Sequence, residues 1–206
     1  MKILELFSGT ESFGKVARAM GHEVFTIDCN EKFKPSLCKD MLDVTINDIP
    51  FKPDVIWASP PCTAFSVACI GRNWDKETRQ PKTIGALVGI ELVKKTLKLI
   101  AEIQPKYWII ENPRGMLRKM DIMPNHNRTS VSYCQYGDTR MKPTDIWNNF
   151  GFIGKICKNG ASCHISEPRG SRTGTQGLKG NMERSVIPPR LCEEILIIIE
   201  NNLSSI

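Results

Sequence analysis

Apolar residues in the first half of the chain come in short blocks, each stopped by a glycine, an acid or a proline. Ile3 to Phe7 predicts a strand, followed by the turn Ser8-Gly9-Thr10-Glu11-Ser12-Phe13-Gly14. Lys15 to Met20 predicts a helix closed by Gly21, since glycine readily takes the left-handed conformation that ends helices. Val24 to Ile27 predicts a second strand, ending at Asp28; Asp54 to Ala58 and Tyr107 to Ile110 predict two more, the last leading into Glu111-Asn112-Pro113. Between those two, Ile90, Val93, Leu97 and Ile100 recur at helical spacing, with Lys94, Lys95 and Lys98 on a solvated face. Strands alternating with helices predict an α/β fold, with a mainly parallel sheet covered on both faces.

From about residue 148 the pattern changes. Lys155 to Asn181 is rich in Gly, Ser, Thr and basic residues, centred on Pro168-Arg169-Gly170-Ser171-Arg172-Thr173-Gly174, and predicts a loop excursion. A last helix, about Pro189 to Asn201, carries Leu191, Ile195 and Ile198 on one side and should return to the core. The expected layout is one catalytic domain, 1–154 with 184–206, interrupted by a loop region, 155–183. A chain of 206 residues suits one domain with a substantial core. A net charge of +6 fits a polyanionic partner without demanding one. Eight cysteines in no regular framework, with Met1 to Leu6 reading as strand instead of leader, predict reduced thiols and a cytoplasmic location. The late apolar run Ile195 to Ile199 is too short to span a bilayer, so no membrane partner is expected.

Two strand ends carry candidate chemistry. Val55 to Ala58 breaks into Ser59-Pro60-Pro61-Cys62, where two prolines fix φ and remove two backbone donors, so a thiol stands on a stiff loop at a sheet edge. The glycine-bearing turn after the first strand, with Phe7, Gly9 and Gly14, lets a ligand approach the backbone; Asp28 at the end of the second strand could accept from ribose hydroxyls. The spacing is not G-x-G-x-x-G, which disfavours a nicotinamide enzyme.

With these pieces in order, the chain resembles the DNA cytosine C5-methyltransferases. Ser59-Pro60-Pro61-Cys62 followed by Phe65-Ser66 is similar to that family's nucleophile motif, and Trp108-Ile109-Ile110-Glu111-Asn112 to its catalytic glutamate motif. Leu6-Phe7-Ser8-Gly9 with Gly14 resembles the cofactor loop, and Tyr136-Gly137 with Arg140 the base-holding segment. Ser185-Val186-Ile187-Pro188-Pro189-Arg190-Leu191 resembles the C-terminal motif that returns to the cofactor pocket. The resemblance implies a Rossmann-like fold, S-adenosylmethionine as cofactor, and a DNA substrate, with the chain acting as a monomer. It also implies cofactor contacts from Phe7, Ser8, Gly9, Thr10, Gly14, Asp28, Cys29, Asp40 and Pro60, and catalytic roles for Cys62, Glu111 and Arg140. Ser66, Arg72, Lys142, Arg169 and Arg172 are expected to meet nucleic acid, and either Arg140 or Lys142 to hold the base. RNA stays open as substrate, because a tRNA-directed branch shares these motifs and the recognition region here is small; a catalytically silent, nucleic-acid-binding relative is the alternative outside enzymes.

A second cysteine group, Cys157-x5-Cys163-His164 with Cys134 as a further candidate, raises the question of zinc. Its spacing is wider than common zinc pairs, and adjacent Cys-His ligands rarely suit one tetrahedral ion. Ordinary packing is the expectation, with no metal.

Overall fold

A computed structural model of the chain describes residues 1–123, 127–165, 178 and 180–204. Seven strands form a single sheet in the order β3-β2-β1-β4-β5-β7-β6. They are β1 (Lys2–Leu6), β2 (Glu23–Asp28), β3 (Leu37–Cys38), β4 (Val55–Ala58), β5 (Tyr107–Pro113), β6 (Arg128–Ser132) and β7 (Pro143–Asn148). The first five pair in parallel; β7 runs antiparallel between β5 and β6. The helices are α1 (Ser12–Ala19), α2 (Val67–Asn73), α3 (Ile84–Ile103), α4 (Asn181–Ser185) and α5 (Pro189–Ser204). The expected mixed, mostly parallel sheet with helices on both faces is what the chain forms.

Side chains alternate across the strands, so each strand feeds two cores. Leu4, Leu6, Ile56, Ala58 and Ile110 pack with Ala86, Val93, Leu99 and Ile100 of α3. On the opposite face Ile3, Val55, Trp57 and Ile109 pack with Phe13 and Ala17 of α1 and with Leu191, Ile195, Leu196 and Ile199 of α5. Phe13 stacks on Trp57 at 4.3 Å between centroids. Burying each such side chain stabilises the fold by roughly 1.5–3 kcal/mol.

Helices α2 and α4 and strands β3, β6 and β7 escaped the sequence pattern. Helix α2 is short, and β6 and β7 read as polar. Strand β7 nonetheless buries Thr144, Asp145 and Asn148, because each polar group finds a partner. Asp145 accepts from Arg118 Nε at 2.8 Å and from Ser130 Oγ at 2.8 Å; Asn148 Oδ1 accepts from the Phe150 and Phe152 amides. Helix α4 (Asn181–Ser185) straddles the expected boundary between the loop region, 155–183, and the returning catalytic domain.

Gly14 differs from its expected role as a ligand-facing turn residue. It is buried inside α1, and a Cβ there would lie 2.5 Å from Glu5 Oε2. Glu5 accepts from the Gly14 amide at 3.0 Å and the Phe13 amide at 3.3 Å. Burial pushes its carboxyl up to about 8, with those amides pulling it down. Gly14 is therefore small so that a buried acid can lie under the start of the helix.

Candidate active site

Strands β4 and β5 are parallel neighbours with Ala58 opposite Ile110, so their C-terminal ends open at the same edge of the sheet. Glu111 is the next residue of β5, and Cys62 follows β4 after three residues. Asn112 joins the two ends by donating from Nδ2 to the Pro60 carbonyl at 2.8 Å.

The nucleophile loop is gripped from several sides. Asn73 at the end of α2 donates to the Thr63 and Ala64 carbonyls, and Trp74 Nε1 donates to Ala64 O at 2.7 Å. Gly89 brings α3 so close that a Cβ would lie 2.5 Å from the Ala64 Cβ. On the other side Ser66 bridges Gly115, and the Met116 amide donates to Phe65 O at 2.7 Å. A Cβ on Gly115 would stand 2.1 Å from that same carbonyl. Gly115→Ala is therefore expected to push the loop off its seat, at an overpacking cost of about 1–3 kcal/mol. Any reaction at Cys62 should slow by about a hundredfold, because a displacement near 1 Å has that effect on a reacting group. Circular dichroism should remain that of a folded sheet; normal activity in the variant would show that the Gly115 contact does not seat the loop.

Glu111 is buried, and Tyr133 Oη donates to its Oε1 at 3.1 Å. Burial raises its carboxyl above the ordinary range; Lys142, Tyr133 and Ser59 pull the other way. The Cys62 side chain is exposed, yet protein crowding its sulfur, and then the Glu111 carboxylate, hold the thiol above its ordinary value, with Lys142 opposing. Lys142 in turn is lowered chiefly by burial, with Glu111 and Cys62 raising it. Thiol, carboxyl and ammonium thus act on one another from three different elements.

Arg140 and Lys142 divide the two roles that the sequence left open. All five Arg140 donors are taken: Nε and one Nη2 hydrogen go to Asp138, and the others go to the carbonyls of Glu183, Arg184 and Val186. The expectation that Arg140 acts at the base is thereby corrected: it clamps the C-terminal segment to the turn before β7. Lys142 sits 4.7 Å over the Tyr133 ring and donates to Arg184 O at 2.8 Å. Its φ of 23° is strained for a residue with a side chain, a cost tolerated where position matters.

A cavity of about 380 Å³ opens beside this cluster. Phe7, Asp28, Cys29 and Asp40 line it as expected, joined by Phe33, Met41 and Leu92. Asp28 accepts from the Gly9 amide at 2.8 Å and the Asn30 amide at 2.8 Å, which ties the first turn to the end of β2. Pro61, with Ser59, lines the cavity in place of Pro60, which is buried with its carbonyl bonded to Asn112. Ser8, Gly9 and Thr10 precede α1 next to Phe7: Ser8 Oγ is buried without a partner among the described residues, and Thr10 Oγ1 meets Ser12 Oγ at 3.0 Å. Ser12 Oγ also accepts from the Ile187 amide, which brings the C-terminal motif back to this turn.

Ser66 is half-buried at the start of α2, and Arg72 is exposed, its Nε donating to Asn73 Oδ1 at 3.4 Å. Arg169 and Arg172 lie outside the described residues. Tyr133 and Asn73 are contributions that sequence patterns concealed, because each is placed by a hydrogen bond to another segment; of the two cations the sequence left open, Lys142 is the one whose charge acts on Cys62 and Glu111.

Fold and site together define an α/β protein with an exposed thiol and a buried carboxyl at the C-terminal edge of its parallel strands, next to a cavity. The chain belongs to the C-5 cytosine-specific DNA methylase family, whose model matches residues 1–129. It is 33% identical over 216 residues to a Frog virus 3 (isolate Goorha) protein named "Probable DNA (cytosine-5)-methyltransferase", covering 95% of this chain and 99% of that protein. Type II methyltransferase M.FnuDI of Fusobacterium nucleatum is 29% identical over 135 residues, covering 58% of this chain and 34% of that one. A solved structure of a Spodoptera frugiperda DNMT2 mutant superposes with a TM-score of 0.48 and 19% identity, covering 78% of this chain and 56% of the other. The chain spans about half the length of the solved structures it matches.

Proposed function

We propose that this protein methylates carbon 5 of cytosine in DNA, using S-adenosylmethionine and a transient bond from Cys62 to carbon 6 of a flipped base. The observation that carries this reading is an exposed Cys62 thiol and a buried Glu111 carboxyl at the C-terminal ends of the paired parallel strands β4 and β5, tied together by Asn112. Family membership and the names of the relatives support DNA over RNA.

Carbon 5 of cytosine is a poor nucleophile. Adding the Cys62 thiolate to carbon 6 turns the ring into an enamine and makes carbon 5 reactive. Negative charge then builds toward N3, where a protonated Glu111 can donate; its second oxygen can accept from the exocyclic amine, which selects cytosine over uracil. The raised Glu111 carboxyl suits that protonated state. Lys142 sets a positive charge against the thiolate and the charged ring. S-adenosylmethionine supplies a methyl group on a positively charged sulfur. The cavity fits it: Asp28 can accept from the ribose, Asp40 from the adenine amine, and Phe7 offers an aromatic face. Loss of the carbon 5 proton and departure of Cys62 restore the aromatic ring. Inside a duplex carbon 6 is stacked out of reach, so the base must leave the helix. Residues 155–183 are assigned here as the reduced target-recognition region.

Oligonucleotides carrying 5-fluorocytosine test this reading, because fluorine cannot leave as the proton does. Incubation with S-adenosylmethionine is expected to give a denaturation-resistant conjugate mapped to Cys62 on DNA. Trapping on a tRNA pool alone would transfer the assignment to RNA, and failure across duplex, single-stranded and RNA pools would end it.

A further inference from the structure

Cys134, Cys157, Cys163 and His164 lie apart in the chain, but their Sγ and Nδ1 atoms all fall within 4.8 Å of one another. Cys134 sits on the 3₁₀ turn Tyr133–Tyr136; the other three belong to the segment after β7. Cys157 Sγ is 3.2 Å from Cys163 Sγ, and His164 Nδ1 is 3.7 Å and 3.6 Å from the two sulfurs. A tetrahedral zinc with Zn–S about 2.3 Å and Zn–N about 2.0–2.1 Å has ligand–ligand edges of roughly 3.8 Å (S–S) and 3.6 Å (S–N). The observed S–N distances match that edge. The 3.2 Å S–S distance is far too long for a disulfide of about 2.05 Å. The adjacency of Cys163 and His164, which argues against shared coordination from sequence alone, is no obstacle here, since both point their donor atoms to one centre.

We propose that these four residues form a structural Cys3His zinc site that fastens the recognition segment to the active-site wall. Zinc suits the donor set, because thiolate-rich tetrahedral sites select it and a closed four-ligand shell leaves no open position for catalysis. Three thiols must lose their protons on binding, and His164 must stay neutral, with its hydrogen on Nε2. Gln135 Nε2 reaches Cys163 Sγ at 3.5 Å and Cys134 Sγ at 3.9 Å, so it can donate toward the thiolates from outside the metal shell.

The segment has need of such a staple. Ile153, Ile156 and Ile165 are all exposed, while Phe152 is buried, so little apolar core holds it. Backbone bonds join it to the active-site side: Ser132 N to Lys155 O at 2.9 Å, and Ile165 N to Thr139 O at 2.9 Å. Cys157 N donates to Ser132 Oγ at 2.9 Å. Cys134 directly follows Tyr133, whose hydroxyl holds Glu111. A metal here would thus fix the wall that carries Tyr133 and Lys142.

Metal binding is read independently of methyl transfer, so this inference and the proposed function can fail separately. Protein purified under reducing conditions without added metal should contain stoichiometric zinc by plasma mass spectrometry. Cobalt exchange should give the visible d–d bands of a tetrahedral site and thiolate charge transfer in the near ultraviolet. Cys157→Ser and Cys163→Ser should lose most of the metal, and Cys38→Ser should keep it. Alkylation mapping of wild type should find Cys134, Cys157 and Cys163 protected until a chelator is added; this reading does not depend on any variant folding. Metal-free folded protein that gives no tetrahedral cobalt spectrum would overturn the proposal. So would unchanged metal in both serine variants, or a Cys157–Cys163 disulfide in the reduced preparation.

Discussion

Cys62→Ser is expected to lower methyl transfer by at least about a thousandfold, which is roughly 4 kcal/mol on the barrier. A hydroxyl is a far weaker nucleophile than a thiol, and this environment makes ionisation harder still. Crowding and the Glu111 carboxylate already hold the thiol above its ordinary value, and they would act on an alkoxide in the same direction. The sign sets the pH behaviour. A raised thiol stays protonated to higher pH, so alkylation of Cys62 in the free protein should rise through a midpoint above that of an ordinary cysteine. Cofactor binding should survive the substitution, because the cavity wall is built from Phe7, Asp28, Ser59 and Pro61, not from Cys62. Calorimetry with S-adenosylmethionine and transfer of a labelled methyl group to DNA separate the two. A serine variant retaining a sizeable fraction of wild-type turnover would remove Cys62 as nucleophile.

Glu111→Gln should cost about 10²–10⁴ in rate, the usual range for a positioned acid. Glutamine keeps the oxygen that accepts from Tyr133 Oη, so the buried strand end should hold its shape. What it loses is the proton for N3. The same change has a second, opposite effect at Cys62: with the carboxylate gone and Lys142 still present, the thiol value should fall and alkylation at fixed pH should quicken. A faster-reacting thiol with slower methyl transfer is a combination that simple misfolding would not produce. Equal losses in rate and DNA affinity, with unaltered thiol reactivity, would reassign Glu111 to a structural role.

Much of this site was legible along the chain because its chemistry lies at the ends of apolar strands. Strands β4 and β5 announce themselves by short buried runs, so Cys62 and Glu111 could be placed at sheet edges before any coordinates. Asp28, at the end of β2, was legible for the same reason. Polar β7 was not: its burial depends on Arg118, Ser130 and the neighbouring strands supplying partners for Asp145 and Asn148.

The sequence alone determined the alternation of strands and helices, the thiol on its double-proline loop and the acid after the next strand, since each rests on local pattern and backbone restriction. Tertiary structure decided the rest: that Arg140 is spent as a clamp while Lys142 lies over the Tyr133 ring, that Gly115 packs against the loop carrying Cys62, and that Cys134 joins Cys157, Cys163 and His164. Those relations are set by three-dimensional proximity and by competition for hydrogen-bond partners, and spacing along the chain records neither.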